Sequence, residues 1–410
     1  MKQRHIVTII SVILSIIAVF ILIIRLNEPE TPLLAQERWL ELNEEAQLIF
    51  TQYWRLELEE GVFDWLISEF EKRYPSISIR INDLSYSEMQ NSVINETIFS
   101  ESDLLAVNPR WLYEAITHEQ LEMISKPQEQ EAWTVPVISF MDLLFYRSDL
   151  LQAAGFDKPP KTRDEFLRYA RGVNQEGFGI GLALSPENPL GLYTDVFSWI
   201  WASGGQLVQN GRLNINSREA LEVFEFFNTL DTEDLLLPEM FSQTNEQKID
   251  AFVNGSIAMM IASISTIAVL RSRMTADKSF GVTSIPIADS YVGKPIFGLT
   301  NWDIAVSRYS PHKEAARLFI DFLLEQAPVL AVSAHAVPVA LVNPQKHHED
   351  VLYRKAFDIY TSGNAIQEFD LFPRNHELEP LIRDELYTMF EEGHSPEQTV
   401  LAIQSKWDGH

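Results

Sequence analysis

Flat aromatic rings beside compact polar groups can hold a small solute. A ring stacks on an apolar face, while hydroxyl, amide or charged groups orient the hydrogen-bonding edge. The chain offers such residues at several places. Trp54 ends the apolar run 47–54, and Asn301 and Trp302 sit together in Gly298-Leu299-Thr300-Asn301-Trp302-Asp303. Tyr193 and Asp195 open the segment 193–201, which also carries Trp199 and Trp201. Asn108 and Ser265 each follow a strand-like run, where open α/β sheets bind ligands, although either can equally cap a helix. Arg374, after Phe372-Pro373, presents a guanidinium fork suited to a hydroxyl pair or a carboxylate, or else a solvated surface position. Every tryptophan also has a core reading, which is the stronger one for Trp201 on an apolar helix face.

Other chemistries find less support. His347-His348-Glu349-Asp350 resembles a metal motif, but adjacent histidines point apart and no further ligand follows by spacing, so it reads as a solvated loop. Gly177-Phe178-Gly179-Ile180-Gly181 lacks the spacing of a dinucleotide loop and reads as a turn into a strand. There is neither a Gly-x-Ser-x-Gly elbow nor a Walker loop. The absence of cysteine removes thiolate metal sites and cysteine nucleophiles. The 58 acidic residues admit a glycosidase pair, but with that many carboxylates some pairing is inevitable and carries little weight. No catalytic residue, metal or cofactor is expected. A net charge of −26 without a basic run argues against nucleic acid as a partner.

With 410 residues, 46% hydrophobic and 22% charged, the chain is globular and long enough for two or more folding units. Ile6 to Ile24 is interrupted only by Thr8, Ser11 and Ser15 and as a helix would span about 30 Å, enough to cross a bilayer. Lys2 and Arg4 precede it and place the N-terminus in the cytoplasm. A cleaved signal peptide is the competing reading, although Arg25-Leu26-Asn27-Glu28-Pro29 offers no small-x-small site. Residues 27–44 read as a spacer.

The elements that must position the candidates follow. The run 47–54 reads as a strand, Val62, Phe63, Leu66, Ile67 and Phe70 as a helix face, and Ile77, Ile79 and Ile81 as the next strand. Further strands are expected at 104–107, 135–146 and 257–262. Thr162 with Glu165, and Asn216 with Glu219, have the spacing of helix capping boxes. Asn254-Gly255 stops a helix, and Ser310-Pro311 opens another with proline at its first position.

The ordered segments resemble the extracellular solute-binding proteins of sugar-type ABC importers, the maltodextrin-binding-like family. The resemblance runs through Phe63-Asp64-Trp65, Phe70 to Pro75, Asp103 to Ala106 and Leu144 to Leu151. It continues through Ala154-Gly155-Phe156, Pro159 to Phe166, Trp201 to Gly205, Ala251-Phe252 with Gly255, and Ala315-Ala316 with Phe319-Ile320. Arg163, Arg147 and Ser265 stand where relatives often have Trp, Asn and a stacking Trp.

The resemblance implies an α/β, two-lobed periplasmic-binding-protein fold after one N-terminal transmembrane helix. Residues 45–139 with 297–328 would form one lobe and 140–296 with 329–410 the other, behind a tip and anchor at 1–26. Crossings would fall near Ser139-Phe140, near Phe297-Gly298 and around Val329, which adds Phe140 to the candidate cleft residues. The implied function is hinge closure over a carbohydrate, oligosaccharides included, outside the cytoplasmic membrane, and delivery to a permease whose ATPase is a separate chain. A sensory subunit for a membrane kinase and, below it, a glycoside hydrolase are the alternatives.

Overall fold

The computed structural model describes residues 45–124, 132–174, 178–188, 190–339 and 350–409. The apolar run 6–24 and the histidine pair 347–348 lie outside the described residues. Among those described, no helix is long and apolar enough to cross a membrane. Residues Gln47–His410 make one compact unit.

The chain opens as β1 (Ala46–Gln52), α1 (Val62–Arg73), β2 (Ile77–Asp83), α2 (Tyr86–Ile94), β3 (Leu104–Val107) and the short α3 (Tyr113–Thr117). In α1 the apolar stripe Phe63, Leu66 and Phe70 is buried, as the spacing requires of a helix packed on a sheet. All four residues of β3 are buried, and it runs parallel to β1. A long strand, β4 (Val135–Arg147), then leads to α4 (Ser148–Ala153), α5 (Arg163–Val173), β5 (Phe178–Gly181), a π-helical turn at Tyr193–Phe197 and α6 (Ser198–Ala202). The hairpin β6 (Val208–Gln209) and β7 (Arg212–Leu213) precedes α7 (Arg218–Thr232), α8 (Asn245–Asn254), β8 (Ile257–Ser263), α9 (Thr266–Arg273) and β9 (Phe280–Thr283). A second long strand, β10 (Ile296–Val306), is followed by α10 (Lys313–Ser333), β11 (Val337–Pro338), α11 (Val351–Ser362), β12 (Asn364–Ile366), α12 (Asn375–Glu392) and α13 (Pro396–Asp408).

The main sheet runs in the order β2-β1-β3-β10-β4-β8-β5. Its two long strands change partners part-way along. β4 pairs with β10 up to Met141 and with β8 from Asp142 onward. β10 pairs with β12 through Gly298 and with β3 from Asp303. These partner changes lie within a few residues of the crossings expected at Ser139-Phe140 and Phe297-Gly298. The third expected crossing does not fall where the sequence placed it, because Val329 lies inside α10. The chain rejoins the sheet later, where Val337 of β11 pairs with Ser139.

Two helix starts also move. The cap of α7 is Ser217, whose side chain accepts from Ala220 N, rather than Asn216. α10 begins at Lys313, after Pro311, while Ser310 Oγ donates to Asp103 Oδ1 at 2.5 Å. Thr162 does cap α5, but Glu165 accepts from Lys161 N rather than from the cap residue itself.

Gly298 lies in β10 against the ring of Trp201. A Cβ there would come within 2.5 Å of that ring, which is itself buried and has little room to move. Gly298→Ala is expected to destabilise the chain by about 1–3 kcal/mol through overpacking, measured as a lowered midpoint of urea unfolding.

Candidate functional site

The partner change of β4 puts Asp142 at a switch point of the sheet, the place where open α/β sheets receive ligands. Around it gather groups from both sides of the β10–β4 pair. From the β3 side, Asn108 caps the turn Pro109–Trp111 by accepting from Arg110 N at 3.1 Å, which orients Arg110. The Arg110 guanidinium donates from Nη2 to Leu299 O at 3.1 Å and from Nη1 to Thr300 Oγ1 at 3.5 Å. Its Nε lies 3.9 Å from Asp370 without a hydrogen bond.

From the β8 side comes Tyr193, over whose ring the Arg110 guanidinium lies at 4.0 Å. Tyr193 Oη donates to Asn375 Oδ1 at 3.0 Å, and Asn375 Nδ2 donates to Arg110 O at 3.3 Å. Leu371 N donates to Pro109 O at 3.1 Å, and Arg374 N donates to Glu114 Oε1 at the same distance. Leu371 and Arg374 both adopt left-handed backbone, φ 56° and 52°, a strained state for non-glycine residues. Their two backbone bonds to the β3 side are made in that state.

Three carboxyls here are held far above their ordinary range. Asp142 is pushed up to about 7 by desolvation and by Asp195, against the opposing pull of Arg110, Lys248 and a bond from Thr194. Glu379 rises to about 7 by desolvation, opposed by Arg383, Arg110 and Tyr193. Asp303 reaches about 7 by desolvation and Asp370, opposed by bonds from Thr134 and Asn301. A carboxyl whose pKa is raised on folding binds its proton more tightly in the folded chain than in the unfolded one. That stabilisation is complete below about pH 4 and is lost as pH rises through 7. The unfolding temperature of the solute-free protein is therefore expected to fall between pH 5 and pH 8 in scanning calorimetry.

The expected site residues divide. Tyr193, Asn108, Asn301 and Phe140 join the cluster: Asn301 accepts from Ser139 Oγ at 2.7 Å, and half-buried Phe140 packs on Trp302 at 5.4 Å. Trp54 and Trp302 lie beside it but stack face to face on each other, 5.2 Å apart and 5° from parallel, with both rings almost fully buried. Tyr53 packs edge-on to Tyr86, and Tyr86 to Trp111, which extends this aromatic wall.

Trp199 is corrected to a core residue, wedged between Phe166 and Phe226 with no exposed surface. Asp195 is likewise structural. Fully buried, it accepts from Lys248 Nζ at 2.7 and 2.8 Å and from Ala183 N at 2.7 Å. Ser265 starts α9 and donates to Ser263 Oγ at 3.2 Å. Arg374 turns its guanidinium onto Trp407 at 4.5 Å. Arg110, Asp142 and Glu379 were not singled out from sequence, although Arg110 follows directly on the strand end at Asn108-Pro109.

Two other arginines have structural work. Arg147 donates to Phe252 O at 2.9 Å, closing the C-terminal end of α8, and pairs with Asp149 at 2.6 Å. Arg163 donates to Trp199 O and Ser203 Oγ at 2.9 and 2.8 Å, and desolvation lowers its pKa to about 10. It also borders an open surface cavity of about 370 Å³ with Arg218, Glu222 and Asp289, away from the switch point.

Residues 57–328 match the family model of bacterial extracellular solute-binding proteins. A binding protein of Brucella abortus is 20% identical over 289 residues, covering 64% of this chain and 68% of that protein. An ABC transporter periplasmic-binding protein of Escherichia coli is 24% identical over 303 residues, covering 66% and 67%. The maltose-bound MalE3 of T. maritima superposes with a TM-score of 0.70 at 19% identity over 89% of this chain and 99% of that one, a likeness of fold. The match over 57–328 and the arrangement of the sheet agree: the chain belongs to the bacterial extracellular solute-binding proteins.

Proposed function

We propose that this chain is the solute-capturing component of an ABC importer. It holds a carbohydrate between two lobes, 45–139 with 297–328 and 140–296 with 329–410, and presents the closed form to a permease. The observation that carries this reading is Arg110: fixed by the β3-side turn, it lies on Tyr193 from the β8 side and beside Asp370. Closure over a solute is favoured only by that solute's higher affinity for the closed form, and a residue contacting both sides is where such a difference arises. The relatives' association with ABC transporters and the maltose bound by MalE3 support the solute class and the partner.

Calorimetry with a panel of mono- and oligosaccharides tests the reading, with saturable binding of at least one member expected. Binding of a different solute class and no saccharide would reject the carbohydrate assignment.

We further propose that Ile6–Ile24 tethers the body at the outer membrane face. The apolar length and the flanking Lys2 and Arg4 support it. Sequencing the mature N-terminus is expected to return residues before Ile6, and a start after Ile24 would make the segment a signal peptide.

A further inference from the structure

Residues 369–375 are rooted on one side by their side chains and bonded to the other through their amide groups. Phe369 is fully buried, stacked with Phe197 at 5.2 Å and edge-on to Tyr193 at 5.6 Å. Phe372 stacks with Trp407 at 5.8 Å, and the Arg374 guanidinium lies over the same ring. These contacts fix the segment among elements of 140–296 and 329–410.

The hydrogen bonds run the opposite way. Leu371 N and Arg374 N donate to Pro109 O and Glu114 Oε1, in the turn and short helix that follow β3. Asn375, 5% exposed, donates from Nδ2 to Arg110 O and accepts at Oδ1 from the Tyr193 hydroxyl, so one side-chain amide ties the two sides together. Left-handed backbone at non-glycine residues persists only where the surroundings hold it, and at Leu371 and Arg374 these crossing bonds are part of what does so. Every one of the bonds joins protein to protein. A contact made in only one of two states favours that state whether or not a ligand is bound.

We propose that 369–375 is a latch that holds the two lobes closed through protein bonds alone, so that the solute-free chain already visits the closed form. Asn375 is its positioning residue, fastening the Arg110 turn to Tyr193. This inference rests on the two-lobe reading above and adds to it a share of closure that no solute supplies.

The test uses the full chain. It contains no cysteine, so Ser68→Cys and Ser272→Cys, at exposed positions of α1 and α9, carry a dye pair between the lobes. Single-molecule energy transfer without solute is expected to show two distances. Asn375→Ala should lower the closed-to-open ratio about ten-fold and Glu114→Ala about five-fold, the size of a lost hydrogen bond. Glu114→Gln keeps an acceptor and should restore most of the ratio, with circular dichroism checking that each variant is folded. If Asn375→Ala does not fold, the two Glu114 variants decide. An unchanged ratio in the folded variants overturns the latch and leaves hinge closure standing. A single distance without solute also overturns the latch. If that distance stays unmoved at saturation with a solute found by calorimetry, hinge closure falls as well.

Discussion

Arg110→Met is expected to weaken solute binding by about 100-fold, because truncating one partner of a desolvated charge cluster costs about 2–5 kcal/mol. The side chain is 6% exposed and touches both sides of the β10–β4 pair. Methionine keeps much of the stem volume but removes the donors to Leu299 O and Thr300, the stacked charge on Tyr193 and the counter-charge to Asp370. Calorimetry with any solute that saturates the wild-type protein reads the loss directly. The unfolding temperature should change less than affinity does, since methionine can keep an apolar contact with the buried ring of Tyr193. Unchanged affinity in a folded Arg110→Met chain would remove this residue from the site.

Lys248→Met should produce the largest loss of stability. Asp195 and Lys248 are both fully buried, and the Lys248 ammonium also donates to Ile261 O at 2.9 Å. Removing the lysine leaves a carboxylate in the interior with the Ala183 N–H donating to it, a situation that costs about 3–5 kcal/mol. Asp195→Asn in the same chain should recover part of that loss, because an amide carries no charge to strand. Urea denaturation of the two single variants and the double variant measures the coupling. Additive losses would show that the pair does not act as a unit.

The sequence made the frame of the molecule legible where burial imposes a simple pattern. β3 is a wholly apolar run, α1 carries its core stripe at helical spacing, and Asn254-Gly255 stops α8 with Gly255 at φ 94°. Helix starts were less sharply marked where two capping residues are adjacent, as with Asn216 and Ser217, so the start of α7 moved by one residue.

The site was less legible because its chemistry is made by convergence. Asp142 looks like any acid inside an apolar strand, and only the change of partner from β10 to β8 gives it a special place. Arg110 has no local signature beyond Asn-Pro before it, and its contacts with Leu299, Asp370 and Tyr193 are all distant in sequence. Trp199 had the opposite problem: an aromatic residue near a promising helix start turned inward, because a large ring between Phe166 and Phe226 buries more apolar surface there. Trp54 and Trp302 are each cleft candidates by their place in the sequence, but in the fold their faces are spent on each other.

The most direct measurement is a crystal structure of the chain with its tightest-binding solute. The expected result places the solute at the strand switch, within hydrogen-bonding distance of Arg110 or Asp142 and against the Tyr193 turn. A solute seated instead in the surface cavity beside Arg163, with Arg110 and Asp142 untouched, would contradict capture at the switch point.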